Sequence, residues 1–576
     1  MLAGVVLVGV IVVGAYQVLS SGSLMQQAAV DLQTVSSNVS DGRQDVAQRN
    51  LELARDHASS ARTRTRGPIV WLGSKLPWVG DDVSAVRAAS EVMDQLANDS
   101  LPKLIEASLS LSPEALRPTG GRVDLEPIKD VAPLVTSVAA DVLAARDRMA
   151  SFEVADLVGQ LQGPMANLQR QLGKAAGLTQ RGALAVQLLP PMLGDEEPRT
   201  YALITQNNAE IRSLGGITGA VAIVRARDGK IEMIRQGSEQ DFGVWPEPVV
   251  DLTSEELALF GDRLAAYPQN AVMTPDFPRS AEILQAMWRK KHGKELDGVV
   301  SIDPVAMSYI LRATGPTVLP NGTKLEASKL VAGLENFVYI IQPDYVLQDV
   351  YFAMVGRSIF DTVVSGQGDP DQLLDELTKA VSERRVLVWS ADPEEEALLA
   401  GTPISGDAPT EATSTPDLAV YMNDASSDKM SFYLDYRVDV EPRTCHDDGS
   451  QTLDVTLSMR STAPKNIKEF GDRLVFKGGY AGAPKLGTVR TTVLLYSPFG
   501  GRVLEATLEG ADAPMSELTH LGRRVSSITL DLRPQQTRMV TYEIRTGPDQ
   551  RGPVSLRTSP AAQGTGRGAV APSACS

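Results

Sequence analysis

The spacing of hydrophobic positions changes twice along this chain, and each change predicts a different architecture. From residue 24 to about residue 67, apolar side chains fall at Leu24, Ala28, Leu32, Val35, Val39, Val46 and Leu53. Such helical spacing makes a narrow stripe, suited to a neighbouring helix of the same chain or to a dimeric stalk. Gly67-Pro68 ends it, and an apolar connection with Trp71 and Trp78 follows. Indole favours both a membrane interface and the space between packed helices, so either role fits these two residues. Asp81 then caps a helix whose face carries Val83, Val86, Met93, Leu96, Leu101 and Leu104. Further helices are expected over 126–149, with Pro127 in the first turn, and over 151–189, divided at Gly163-Pro164. Residues 23–189 thus predict a membrane-proximal helical bundle, a stalk or spacer without catalytic spacing.

Pro190-Pro191 and the acidic 195–198 mark the first change. Short apolar runs at 201–204, 220–224, 231–234 and 299–302 alternate with helical segments at 280–291, 304–313, 325–337, 345–364 and 370–385, before a strand at 386–389. That alternation predicts an α/β domain with a central sheet over 190–400, and Asp228-Gly229 signals a hairpin. Residues 401–416 have the Pro, Gly, Ser and Thr content of a linker or exposed loop. Beyond them period two takes over, with Leu453, Val455, Leu457 and Met459 alternating with polar neighbours. Similar runs predict six or seven short strands, an immunoglobulin-like β-sandwich over 417–552, and a flexible tail over 553–576. The fold class is therefore multidomain α and β.

Size and charge narrow the function. A chain of 576 residues exceeds what one core supports. A net charge of −16 excludes general nucleic-acid binding and disfavours broad adhesion to anionic lipid. The run 2–19 carries no charged residue and approaches the roughly 20 apolar residues that cross a bilayer as a helix. It predicts a transmembrane helix within 1–22, with a cleaved signal peptide as the alternative because 20–23 is rich in small residues. The bulk of the chain is then extracytoplasmic, on a single-pass protein of the plasma membrane. Cys445 and Cys575 are the only cysteines, and His57, His292, His446 and His520 are scattered. Neither count nor spacing supplies a zinc or iron–sulfur centre, whereas one disulfide in an oxidising compartment fits, two unrelated thiols being the alternative.

Candidate chemistry concentrates where the run 201–204 empties into Gln206-Asn-Asn-Ala-Glu-Ile-Arg-Ser-Leu-Gly-Gly-Ile-Thr-Gly219. Polar groups at a strand end serve a ligand or a tight turn. Arg212 offers a planar fork for phosphate or carboxylate, and Gly215 and Gly216 permit close approach of backbone N–H groups. Asn207, Asn208 and Glu210 complete a candidate ligand surface, or else brace turns and pair ions. Arg212, Asp276, Arg279 and Asp303 are the candidate catalytic set for phosphoryl transfer, which needs cationic clamps and carboxylates. A strand-end ion pair, a helix cap and turn residues are their structural alternatives. A hydrolase, the third possibility, has weak support, since no G-x-S-x-G elbow is present and the scattered histidines offer no evident triad.

Tyr201-Ala-Leu-Ile-Thr-Gln-Asn-Asn-Ala-Glu-Ile-Arg-Ser-Leu-Gly-Gly216, with Thr274-Pro-Asp-Phe-Pro-Arg-Ser-Ala281, Leu296-Asp-Gly-Val-Val-Ser-Ile-Asp-Pro304 and Ala313-Thr-Gly-Pro316, resembles the bacterial domain-of-unknown-function family 4012. Likeness at Leu76-Pro-Trp-Val-Gly80, Tyr421-Met-Asn-Asp-Ala425 and Lys429-Met-Ser-Phe-Tyr-Leu434 extends it over most of the chain. That family is distantly similar in layout to the LytR-CpsA-Psr phosphotransferases. The resemblance implies handling of a polyprenyl-pyrophosphate-linked glycan, glycopolymer transfer to the cell wall, and magnesium as cofactor. It places Arg212 where a phosphate-gripping arginine is expected. The phosphotransferases' second-strand Arg-Asp pair is absent, its place taken near 235–241, and Asn207 stands where an aspartate is usual. Those departures favour the alternative, a non-catalytic envelope scaffold or glycan-binding adhesion protein with envelope protein partners.

Overall fold

The computed structural model describes residues 44–66, 75, 80–111, 114, 116–426, 428–467, 469, 474 and 484–575. The apolar run 2–19, the small-residue segment 20–23, the first part of the helical stripe, and Trp71 and Trp78 lie outside the described residues. Among the described residues no helix is long and apolar enough to cross a membrane. The chain divides into two compact units, one of 1–117, 122–197 and 227–229, the other of 118–121, 198–226 and 230–576.

The first unit is helical, with α1 at Gln44–Thr65, α2 at Gly80–Gln95, α3 at Leu101–Ser110, α4 at Glu126–Ala150 and α5 at Gly159–Met192. A π-helical turn at Leu96–Ser100 joins α2 to α3. Small side chains on α2 (Ala85, Ala88, Ala89) share a core with Val138 and Val142 of α4 and Leu168 and Leu172 of α5. The break expected at Gly163-Pro164 is not there: α5 runs through Pro164, Pro190 and Pro191. Pro164 costs one hydrogen bond near the helix start, while buried Met165, Leu168 and Leu172 hold the segment to its neighbours. The break comes instead between α4 and α5, at a 3-10 turn over Val154–Asp156.

The second unit joins an α/β half to a β-sandwich. Its first sheet uses β1 (Arg199–Arg212), β2 (Gly215–Arg227), β3 (Lys230–Ser238), β4 (Gly298–Ile302) and, after a two-residue hairpin of β5 (Thr317–Val318) and β6 (Lys324–Leu325), β7 (Val386–Ser390). The order is β3-β2-β1-β4-β7, with β1 parallel to β4, and β1–β2 and β4–β7 antiparallel. Asp228 (φ 48°) and Gly229 (φ 76°) make the turn between β2 and β3, the primed geometry that suits hairpin twist. Helices α6 (Ser254–Phe260), α7 (Phe277–His292), α8 (Pro304–Thr314), α9 (Ala327–Ala332), α10 (Val338–Ile341), α11 (Tyr345–Val364), α12 (Pro370–Ser382) and α13 (Pro393–Leu399) complete this half. The register of β1 against β2 slips twice, between Ile204 and Gln206 and again between Asn207 and Ile211. At the second slip, residues 208–210 leave the ladder, and this excursion shapes the site below.

The sandwich comprises β8 (Asp417–Asp424), β9 (Leu434–Cys445), β10 (Gln451–Ser461), β11 (Val489–Tyr496), β12 (Arg502–Leu508), β13 (Ala511–Asp512), β14 (Ser516–His520), β15 (Arg523–Leu532), β16 (Thr537–Arg545), β17 (Ser555–Thr558) and β18 (Arg567–Val570). A six-stranded sheet, β13-β12-β16-β10-β9-β18, and a five-stranded one, β14-β15-β11-β8-β17, bury one shared core of alternate residues such as Leu453, Val455, Val493 and Leu495. This is larger than the roughly seven to nine strands of an immunoglobulin domain. Residues 553–576, expected as a loose tail, carry β17 and β18, which pair in parallel with β8 and β9. Cys445 and Cys575 are bonded, S–S 2.08 Å, across 130 residues of sequence. Residues 401–416, expected as a linker, are held in place: Gly406 O accepts from Phe277 N at 3.2 Å and from Arg384 Nη2 at 2.9 Å, and Ser414 O accepts from Gly552 N at 2.7 Å.

Candidate functional site

A cavity of 210 Å³ opens between the first sheet and α11. Leu203, Ile217, Val221 and Met233 form its floor; Met307 of α8, Leu334, Phe352 and Val355 supply apolar walls. Polar residues interrupt this lining: Gln206, Asn207, Thr218, Glu239, Glu335, Tyr339, Asp349 and Lys429. Tyr345 also lines it and is largely exposed, as are Phe337, Ile341, Val346, Leu347 and Val350 on the same stretch of chain. That stretch is the longest local concentration of exposed large apolar side chains among the described residues, a feature that marks interaction sites.

The excursion of β1 builds the polar part. Asn207 Oδ1 accepts from Ala209 N at 3.1 Å and its Nδ2 donates to the Tyr339 hydroxyl. Asn208 N, freed from the ladder, donates to Glu335 Oε1 at 3.1 Å. Glu335 sits in the π-helical turn Gly333–Phe337 and is fully enclosed; burial pushes its carboxyl up to about 8, against the lowering effect of the Asn208 N–H. Burial likewise raises Glu239 and Asp349. Lys429 bonds Glu210 and lies 5.1 Å from the Tyr339 ring centroid. Burial draws its ammonium down to about 8.

The two glycines serve backbone geometry. Gly215 has φ 132°, and a Cβ at Gly216 would lie 2.2 Å from the Asn207 backbone, so only glycine allows β2 to pass so close to β1. Gly216 N donates to Gln206 Oε1 at 3.0 Å, which orients that amide.

The four residues expected to be catalytic are not gathered, and none lines the cavity. Arg212 is buried at the junction with the sandwich, where Nη1 donates to Asp424 O at 3.3 Å and stands 4.0 Å from Asp424 Oδ2; burial lowers its pKa. Asp276 precedes α7 and accepts from Ala408 N at 3.0 Å; burial pushes it up to about 6. Arg279 is held by Glu256, Nε to Oε1 2.8 Å, and by Asp251 O at 2.7 Å. Asp303 caps α8 through Ala306 N at 2.7 Å and pairs with buried Arg385 at 2.6 Å. Each has a protein partner. Among the described residues there is no group of three or more His, Cys, Asp or Glu placed to hold a metal ion. Of the expected ligand residues, Asn207 lines the cavity, Asn208 and Glu210 support it from behind through Glu335 and Lys429, and Gly215 and Gly216 shape the strand.

Gln206, Thr218, Glu335 and Lys429 were not singled out from sequence. For Glu335 a signal was present, a lone acid inside the apolar run 330–341. Lys429 stood out only as the first residue of the family-like segment 429–434, with no role attached.

Fold and cavity together describe a mixed α/β domain whose central sheet and helices surround a partly open cavity of mixed lining. Residues 196–339 match the family model described as protein of unknown function (DUF4012). No curated protein and no solved structure matches the chain.

Proposed function

We propose that this protein is a membrane-anchored, extracytoplasmic component of the bacterial cell envelope that binds a lipid-linked glycan and does not itself transfer it. The cavity carries the reading. Its apolar walls continue into the exposed run from Phe337 to Val350, while amides, carboxylates and a lysine interrupt its lining, a mixture that suits a molecule with an apolar and a polar part. The resemblance to a carrier-handling layout supplies the ligand class, and the apolar run 2–19 supplies the anchor. Binding is preferred to phosphotransfer because Arg212, Asp276, Arg279 and Asp303 are spent on protein partners. The sandwich, in the same proposal, presents surface to envelope protein partners.

The test is saturable binding of a short polyprenyl-linked saccharide to the full chain in nanodiscs, with Met307→Trp to fill the cavity and Arg212→Met as control. Met307→Trp should weaken binding at least tenfold and Arg212→Met less than twofold. Absence of saturable binding to the unsubstituted protein would sink the reading. Transfer of the phosphosaccharide from a polyprenyl-pyrophosphate carrier to a peptidoglycan hydroxyl with magnesium, with polyprenyl monophosphate as the leaving group, would restore the transferase reading.

A further inference from the structure

Four buried side chains in and behind the cavity wall each leave a polar atom without a protein partner: Gln206 Nε2, Asn208 Oδ1, Thr218 Oγ1 and Glu335 Oε2. They are neighbours. Gln206 and Thr218 face each other across β1 and β2, and Asn208, two residues along β1 from Gln206, is joined to Glu335 by its backbone N–H. Gln206, Thr218 and Glu335 line the cavity itself. A fold rarely leaves buried polar atoms unmet, because each has lost its water without gaining a bond. Ser213, just past the end of the same strand, shows that pairing is available nearby: its N donates to Asn423 Oδ1 and its O accepts from Ser559 Oγ.

We propose that this cluster recognises the hydroxyl groups of an uncharged sugar or other polyol, the head of the ligand whose apolar part occupies the remaining wall. The assignment rests on the amphiphile reading above and sharpens it. Gln206 Nε2 requires an acceptor, and Thr218 takes either a donor or an acceptor. A hydroxyl is both donor and acceptor. A phosphate brings acceptors alone and meets the carboxyl groups of Glu239 and Asp349 on the same lining. An ammonium group brings donors alone and leaves Gln206 Nε2 unmet. The one lysine on the wall, Lys429, is already matched by Glu210. With its carboxyl pushed up to about 8, Glu335 holds its proton at neutral pH and adds a donor without adding charge. The volume of 210 Å³ lies below the roughly 300–1,000 Å³ of pockets for drug-sized ligands, which suits a small head group with its apolar part extending toward the open side.

The experiment compares three ligands with one tail, farnesyl glucoside, farnesyl phosphate and farnesylamine, by equilibrium binding to the full chain in zwitterionic nanodiscs. The glucoside should bind at least tenfold more tightly than either charged ligand. Thr218→Val keeps the side-chain shape and breaks no protein hydrogen bond; it should weaken the glucoside at least fivefold and leave the phosphate unchanged. Glu335→Gln, which keeps a buried donor and acceptor, should retain most of the glucoside affinity, a rescue that Glu335→Leu should not show. Phosphate or amine bound as tightly as glucoside, or glucoside affinity untouched by Thr218→Val, overturns the hydroxyl assignment while the amphiphile reading stands. Failure of all three ligands to bind overturns both.

Discussion

Strand β1 buries polar side chains in two places and treats them oppositely. At its end, Arg212 and Ser213 enter the junction with the sandwich, where Asp424, Asn423 and Ser559 reach back to them; Arg212 Nε is the exception that finds no protein partner. A few residues earlier, Gln206, Asn208 and their neighbours Thr218 and Glu335 are equally buried and incompletely met. Burial and polarity are thus the same in both regions, and pairing separates them. Paired groups hold two halves of a unit together, whereas unpaired ones facing a cavity point to something that enters it.

The junction can be broken most severely at Arg385, whose guanidinium is bonded to Asp303, Glu383 and Ala561 O. Arg385→Ala strands the buried Asp303 carboxylate and should lower unfolding free energy by about 3–5 kcal/mol, read as a shift in urea midpoint. Arg212→Met should cost about 2–3 kcal/mol by the same measurement, since it leaves Asp424 without its cation, yet ligand affinity should stay within twofold. A loss of affinity larger than the loss of stability would return Arg212 to the site.

On the cavity side the effects are smaller and differ in kind. Glu335 is raised from 4.5 to about 8 in the folded protein, so between those values the folded state holds a proton that the unfolded chain has released. Stability from this group is present below its unfolded value and falls as pH rises through the window, by up to roughly 1.4 kcal/mol per pH unit. Glu335→Gln should remove that slope, seen as the difference between variant and unsubstituted protein in urea unfolding at about pH 5.5 and 7.5. Thr218→Val, which deletes a buried hydroxyl with no protein partner, should change stability by no more than ~1 kcal/mol, with a gain as the expected sign. A marked destabilisation would show that Thr218 is already satisfied and would erase the contrast.

Much of the fold was legible. Period-two alternation in 453–459 became β10, the helical segments 304–313 and 345–364 became α8 and α11 almost residue for residue, and Asp228-Gly229 became the expected hairpin turn. These features are local, set by side-chain spacing and turn chemistry. The site was legible only as a neighbourhood. Gln206 to Gly219 does supply its floor, but Arg212 faces away from the cavity into a junction whose partner, Asp424, is 212 positions along the chain. Glu335 and Lys429 come from segments that no spacing rule connects to β1, and the excursion at 208–210 depends on β2 glycines passing under Asn207. Composition misled at 401–416 and 553–576 for one reason. Small and polar residues need not be loose when their backbone groups find partners, as Gly406 and Ser414 do.

The parallel strands β17 and β18 have a consequence for how the chain is made. Each covers an outer strand, β8 or β9, that was synthesised more than a hundred residues earlier. Until residues 555–570 emerge, both sheets present an open row of backbone donors and acceptors, a template for pairing with another copy. Chain release before that point would leave a nearly complete but adhesive domain, and the Cys445–Cys575 bond fastens the cover once it is in place.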